Sequence, residues 1–91
     1  MDEEKKAFLI AFDDRYQELV FPVETKDLRV GDLLLLQPGE IVPADCKLLT
    51  GEVWVQGLAW TPPQILKAGG LVESGTARAY VAPIPPHAYA P

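Results

Sequence analysis

The sequence has almost none of the cysteine and histidine side chains from which disulfides and most structural zinc sites are built. Cys46 is its only cysteine and His87 its only histidine. One cysteine excludes an internal disulfide, and a protein zinc site needs about four His, Cys or carboxylate ligands. We therefore expect no metal site and no cofactor. A lone cysteine outside a reactive site is ordinarily structural, so we expect Cys46 to be buried.

Positive charge and long apolar runs are also scarce. The chain has 8 Lys and Arg against 13 Asp and Glu, a formal net charge of -5. This balance argues against nucleic-acid binding and against attraction to anionic membranes. No apolar stretch approaches the roughly 20 residues that cross a bilayer, and residues 1–4 lack the positive charge of a signal peptide. We expect a cytoplasmic protein without direct membrane insertion.

The chain does contain closely spaced turn signals. They fall at Gly31-Asp32, Pro38-Gly39, Thr50-Gly51, Gly69-Gly70 and Ser74-Gly75. The apolar stretches between them recur about every ten residues, too closely for alternating strands and helices. The unbroken leucines 33–36 are typical of a central strand covered on both faces. The pattern predicts a mainly β barrel or sandwich.

The two ends of the chain are harder to assign from local pattern. Phe8, Phe12, Tyr16 and Leu19 fall near helical spacing, but residues 7–12 and 17–23 could equally form a hairpin around an Asp-rich turn. Residues 83–91 contain four prolines, which lack backbone donors and cannot pair in a sheet. We expect one domain over residues 1–82 and a proline-rich tail over residues 83–91.

The most specific signal lies in residues 27–45. It contains Gly31-Asp32, then Pro38-Gly39, then Pro43-Ala44-Asp45. This order and spacing resemble the actuator domain of the P-type (E1-E2) cation-transporting ATPases, in which Gly-Asp opens a strand, Pro-Gly turns and Pro-Ala-Asp follows. The similarity resumes at Gly75-Thr76 and covers about residues 20–80. It implies a distorted jelly-roll or double-stranded β-helix-like fold, and it favours the hairpin over the helix near the start.

The same residues have scaffold roles that do not depend on the resemblance. Asp32 and Asp45 have short carboxylates suited to accepting backbone N–H groups at turns. Pro38-Gly39 fits the centre of a type II turn, with glycine at the positive φ. Pro43 lacks a donor and indicates an edge, a strand start or a bend. None of these roles makes an active site.

The resemblance also shows what the chain has lost. Actuator domains carry a Thr-Gly-Glu-Ser loop whose glutamate activates the water that hydrolyses an aspartyl phosphate on another domain. The corresponding residues here are Thr61-Pro62-Pro63-Gln64. Proline cannot transfer a proton and fixes φ near -65°, and the glutamine amide cannot ionise. The alternative is an alignment slip, in which case these residues form an ordinary loop.

A second absence does not depend on that alignment. The family's phosphorylated aspartate lies in an Asp-Lys-Thr-Gly motif, and this motif does not occur in the sequence. Without a phosphate acceptor or an ATP site, the isolated chain is not expected to pump or to act as an enzyme.

Two tryptophans have different expected roles. Trp54 lies in a strand-like run between Val53 and Val55, and we expect it to pack. Trp60 precedes the altered loop, where an exposed aromatic side chain would serve as a docking anchor.

Three functions are compatible with these observations. The first is a non-catalytic actuator-like module that binds a protein partner, such as a P-type pump or its other domains, in a regulatory role related to cation transport. The second is an excised or truncated piece of a pump, at the cytoplasmic face of a membrane. The third is a small acyl-phosphatase using Asp32, Asp45 or Glu52, which is disfavoured because these carboxylates do not surround a glycine-rich phosphate cradle.

Overall fold

The computed structural model describes residues 6–82, and within this range the chain forms one antiparallel sheet of seven strands. Along the sheet the strand order is β2-β1-β3-β7-β4-β5, and β6 pairs with β4. The strands are β1 (Lys6–Phe12), β2 (Glu18–Glu24), β3 (Leu33–Leu36), β4 (Cys46–Val55), β5 (Leu58–Trp60), β6 (Ile65–Leu66) and β7 (Val72–Val81), with a 3-10 turn at Thr25–Asp27. The predicted mainly β fold is confirmed. The expected tail, including His87, lies outside the described residues.

The first two strands form a hairpin, as the resemblance favoured, and the helical interpretation is wrong. β1 and β2 pair antiparallel from Lys6 opposite Glu24 to Phe12 opposite Glu18. The turn between them is stabilised by an aspartate side chain: Asp13 Oδ1 accepts the N–H groups of Arg15 at 2.8 Å and Gln17 at 2.9 Å. Tyr16 takes a positive φ of 60°. Side-chain capping therefore closes a turn that has no glycine.

The four-leucine strand is central, as predicted, but only one of its faces is fully buried. β3 pairs with β1 on one side and with β7 on the other. Leu34 and Leu36 have no exposed surface, whereas Leu33 and Leu35 are half-buried. Successive side chains point to opposite faces of a strand, so the sheet has one dry face and one partly open face.

The hydrophobic core lies on the dry face, beneath the loops that connect the strands. Its fully buried side chains come from β3, β4, β7 and the loop before β4, and the largest are Leu34, Leu36, Leu48, Val42, Val53 and Val72. Cys46 is also completely buried, as predicted. Burial, together with the neighbouring Asp45 carboxylate, raises the pKa of the Cys46 thiol to about 12. This cysteine fills space in the core and is not activated.

Two glycines allow β4 and β7 to approach closely. Gly51 and Gly75 have φ values of 85° and 86°. A Cβ atom on Gly51 would collide with the carbonyl oxygen of Thr76, and one on Gly75 would collide with that of Glu52. The strand pairing is irregular between Leu48 and Thr50, just before this approach. Only glycine combines this φ with the absence of a side chain.

Candidate functional site

The Gly31-Asp32 segment forms a tight turn against the end of β7. Asp32 Oδ2 accepts the N–H of Arg29 at 2.9 Å, and the Asp32 N–H donates to the Arg29 carbonyl at 3.0 Å. Gly31, with a φ of 96°, donates its N–H to the Val81 carbonyl at 2.7 Å. The predicted role of Asp32 as a backbone acceptor at its own turn is confirmed.

The Pro38-Gly39 segment forms the predicted turn and is attached to β7. The Glu40 N–H donates to the Gln37 carbonyl at 3.2 Å, and Gly39 has a φ of 88°. These are the hydrogen bond and the glycine conformation of a type II turn. The Gly39 N–H donates to the Val72 carbonyl at 2.8 Å. Burial raises the pKa of the Glu40 carboxyl, while the Gln37 N–H that it accepts acts in the opposite direction.

The Pro43-Ala44-Asp45 segment is a bend that joins two loops distant in sequence. Asp45 Oδ1 accepts the N–H of Ala68 at 2.9 Å, 23 residues away, and the Asp45 carbonyl accepts the N–H of Ala82 at 3.0 Å. Ala44 is partly buried against the core. Asp45 is thus a backbone acceptor, as predicted, but its partner lies in the loop before β7. The segment is structural.

The Thr61-Pro62-Pro63-Gln64 segment is a four-residue turn between β5 and β6. The Gln64 N–H donates to the Thr61 carbonyl at 2.9 Å, and Gln64 Oε1 accepts the Thr61 N–H at 2.8 Å. The peptide bond between Pro62 and Pro63 is cis. Since proline has no N–H, every backbone N–H of this turn is already used inside it. The turn therefore has neither an ionisable group nor a free backbone donor for a phosphate oxygen.

The acidic residues closest in sequence to this turn have other positions. Glu52 lies in β4 opposite Thr76 of β7. Glu73 lies in β7, where its Oε1 accepts the N–H of Gly57 at 3.1 Å. Gln56 and Gly57 form the β4–β5 turn, with φ values of 55° and 75°. Neither carboxylate is part of the Thr61–Gln64 turn.

The two tryptophans have the opposite exposure from the one expected. Trp60 is half-buried, packs against the core opposite Val53 and donates its indole N–H to the Val55 carbonyl at 3.3 Å. Trp54 is 41% exposed. Trp60 is only partly exposed, and the docking role expected for it stays a prediction. Val53 and Val55 are both buried, and strict alternation along the strand would have indicated an outward Trp54.

The structure has a cavity beside the start of β1 and the loops that precede β4 and β7. Its volume is about 340 Å³, and its charged lining residues are Lys6 and Glu40. One oxygen of Glu40 is already bound to the Gln37 N–H at 3.2 Å. Across residues 6–82, no three His, Cys, Asp or Glu side chains are grouped so that they could hold a metal ion. Over the same residues, no helix has the length and apolar character needed to span a bilayer.

Comparisons with known proteins agree with this architecture. A family model described as the P-type ATPase actuator domain matches residues 3–89. The fold is similar to that in crystal structures of a zinc-transporting PIB-type ATPase in two different states. One has 19% identity and a TM-score of 0.71 over 93% of this chain, and the other has 20% identity and a TM-score of 0.63 over 89%. This chain spans 14% of each of those chains. No curated protein sequence matches it significantly.

Proposed function

Because the chain belongs to the P-type ATPase actuator domain family, we propose that it is a degenerate actuator: a non-catalytic protein-interaction module related to cation transport. The observation that carries this proposal is the Thr61–Gln64 turn. An actuator must present a group that positions and activates water next to a phosphorylated partner domain. The turn offers two prolines and an amide that already accepts a hydrogen bond.

Two features of the turn support loss of catalysis together. A base requires a side chain that can accept a proton near neutral pH, and none of its four residues has one. Close approach of a phosphate requires backbone without bulk and with free N–H groups, and the prolines remove both. The scaffold around the turn is kept, including the Gly31-Asp32, Pro38-Gly39 and Pro43-Ala44-Asp45 turns. A domain that only binds a partner needs its scaffold but not its reactive group, and this combination is what we infer here.

A hydrolysis assay tests the loss of catalysis. Acetyl phosphate is a small acyl phosphate with the same reactive bond as an aspartyl phosphate, and the chain is expected to hydrolyse it no faster than buffer does. The acyl-phosphatase alternative would use the Asp45 carboxylate, so Asp45→Asn is the variant that tests it. In the structure this carboxylate accepts the Ala68 N–H. Hydrolysis above background that disappears in Asp45→Asn would overturn the proposal.

We infer that the partner is a protein, with an intact P-type pump or its other domains as the first to test. An actuator works by contact with other domains, and that requirement survives the loss of the water-activating loop. Titration of the chain into a purified pump should give saturable binding at the cytoplasmic side. The absence of association with any P-type pump would remove the pump as the partner.

A second candidate function is that the sequence is one segment of a complete pump. The observation that favours it is length: the chain spans only 14% of each zinc-transporting ATPase chain to which its fold is similar. In that case the turn would act within a larger chain at the cytoplasmic face of a membrane. Sequencing the gene on both sides of codons 1–91 decides this, because a pump would continue into hydrophobic helices and an Asp-Lys-Thr-Gly motif.

A further inference from the structure

The open face of the sheet carries an aromatic side chain at the end farthest from the β1–β2 hairpin. In β4, Trp54 lies directly opposite Ser74 of β7 on one side and Ala59 of β5 on the other. Both neighbours are small, so neither covers the indole ring, and Trp54 is 41% exposed. Directly opposed residues in antiparallel strands share a face. Trp54 is therefore an exposed aromatic surface between two short side chains.

A carboxylate lies beside this ring on the same face. Glu52 is two residues before Trp54 in β4, so the two side chains project in the same direction, roughly 6–7 Å apart along the strand. Thr76 stands opposite Glu52. Residues 51–61 and 72–76, which build this end of the sheet, contain Glu52 and Glu73 and no Lys, Arg or His. Glu73 accepts the Gly57 N–H, whereas the Glu52 carboxylate makes no hydrogen bond or ion pair within residues 6–82.

We propose that Trp54 and Glu52 form a docking site for an arginine side chain of a partner protein. This proposal rests on the proposed interaction function and assigns it a surface. A guanidinium is planar, so it can stack on the indole ring while its edge donates hydrogen bonds to a carboxylate. The spacing along the strand suits this arrangement, because a guanidinium stacked on the Trp54 indole can reach the Glu52 carboxylate two residues away on the same face.

The charge of the surface selects the occupant. The residues that build this end of the sheet include two carboxylates and no cation, and the neighbouring Arg78, opposite Thr50, is already paired with Glu18. This end of the sheet therefore attracts a positive group and repels an anionic one. A purely apolar partner would leave Glu52 desolvated and unpaired, which is costly. A lysine supplies charge but not the flat face and fork of donors. Arginine is also enriched, with tryptophan, at the energetic centres of protein interfaces.

The site can be tested with a short peptide that carries a single arginine between alanines and glycines. The reporter is the indole N–H resonance of Trp54 in a ¹H–¹⁵N NMR titration, followed to millimolar peptide. Trp60 is an internal reference, since its own indole N–H is bound to Val55. The Trp54 signal should shift saturably while the Trp60 signal stays fixed. A matched peptide with citrulline, which keeps the shape of arginine but not its charge, should bind at least about tenfold more weakly.

Protein variants then assign the contact. Glu52→Gln should weaken binding of the arginine peptide about tenfold, and Trp54→Ala should weaken it about fivefold. Glu24→Gln removes the same charge from β2 at the opposite edge of the sheet and should leave binding within twofold. Circular dichroism checks that each variant is folded, and Trp54→Leu replaces Trp54→Ala if that variant is not.

The outcomes separate this surface from the broader proposal. Equal binding of the arginine and citrulline peptides, equal losses in Glu52→Gln and Glu24→Gln, or no saturable shift would each overturn the arginine site. A pump that binds the wild-type chain and Trp54→Ala with the same affinity would also overturn it, yet would leave the module's binding function standing. If Trp54→Ala and Glu52→Gln lose pump binding while Glu24→Gln keeps it, the result would support both the arginine site and the interaction function.

Discussion

Arg78 holds both carboxylate oxygens of Glu18. Its Nε lies 2.6 Å from Oε2 and its Nη2 lies 2.7 Å from Oε1, so the pair is bidentate and joins residues 60 positions apart in sequence. The contact connects β7, in the middle of the sheet, to the edge strand β2. The hydrogen bond from Arg78, opposed by desolvation, lowers the pKa of the Glu18 carboxyl from its ordinary value of 4.5.

This ion pair lies on the same face of the sheet as a buried side chain that is not part of the core cluster. Ile10 is 5% exposed but is not part of the core cluster. In β1, Ile10 lies between Phe8 and Phe12. Phe8 is paired with Leu35 of β3, which is paired in turn with Arg78 of β7. Phe12 is paired with Glu18 of β2. The two charged side chains therefore approach each other on the open face at the level of Ile10. Their aliphatic parts can shield an apolar side chain while the charges stay in contact.

The first prediction concerns the pH dependence of this contact. A carboxyl whose pKa is lower in the folded state stabilises the fold above its unfolded-state pKa, and that stabilisation is lost as pH falls through the folded-state pKa. Glu18→Gln should therefore destabilise the chain at pH 7, and the difference from wild type should shrink below about pH 4.5. Urea unfolding of both chains across pH 3–7 measures it. Glu24→Gln, which breaks a single contact of 3.3 Å to the exposed Lys26, should have a smaller effect at neutral pH.

The second prediction concerns the close approach of β4 and β7. Gly75→Ala should lower the free energy of unfolding by about 1–3 kcal/mol for the positive φ alone, with a further loss from the collision with the Glu52 carbonyl. Gly57→Ala is the matched control, because Gly57 has a φ of 75° but no atom within 4 Å of an added Cβ. Denaturant unfolding should show Gly75→Ala to be clearly the worse of the two. Equal losses would mean that β4 and β7 can separate without cost.

The third prediction concerns the altered turn. Pro62 and Pro63 are exposed, so Pro62→Gly together with Pro63→Glu should restore the glycine and glutamate of the family's loop and leave the fold intact. Gln64→Ala should instead loosen the turn, at a cost of about 1 kcal/mol or less, because it removes the acceptor of the Thr61 N–H. Thermal unfolding followed by circular dichroism compares the variants. Unfolding of the double variant would show that the prolines are structural and that the alignment of this loop is wrong.

The fourth prediction concerns Cys46. With a thiol pKa of about 12, roughly one thiol in ten thousand is ionised at pH 8, so a thiolate-specific reagent should label the folded chain only through unfolding. Labelling by iodoacetamide should be slow in buffer and fast in urea. Because folding keeps this thiol protonated, stability should also decline as pH rises above its ordinary value of 9.0. Labelling of the folded chain at the rate of a free thiol would contradict the burial.

Local chemistry made several elements predictable. The hydrogen bonds that close the turns at Asp32 and Pro38-Gly39 join residues three apart, so their residue types alone indicate them. The buried Cys46 was also predictable, because a lone cysteine outside a reactive site is ordinarily structural. The β1–β2 hairpin was decided by resemblance, since its turn uses Asp13 and a positive φ at Tyr16 in place of glycine.

The sequence by itself determined the mainly β fold and the family, because these depend on residue identity and on order along the chain. Tertiary structure decided which loop Asp45 holds and how Arg78 reaches Glu18. The physical reason is strand register. A shift of one residue moves every side chain of a strand to the other face. Here the pairing of β4 with β7 shifts twice, after Leu48 and after Trp54, where only the folded sheet reveals which partner each residue meets.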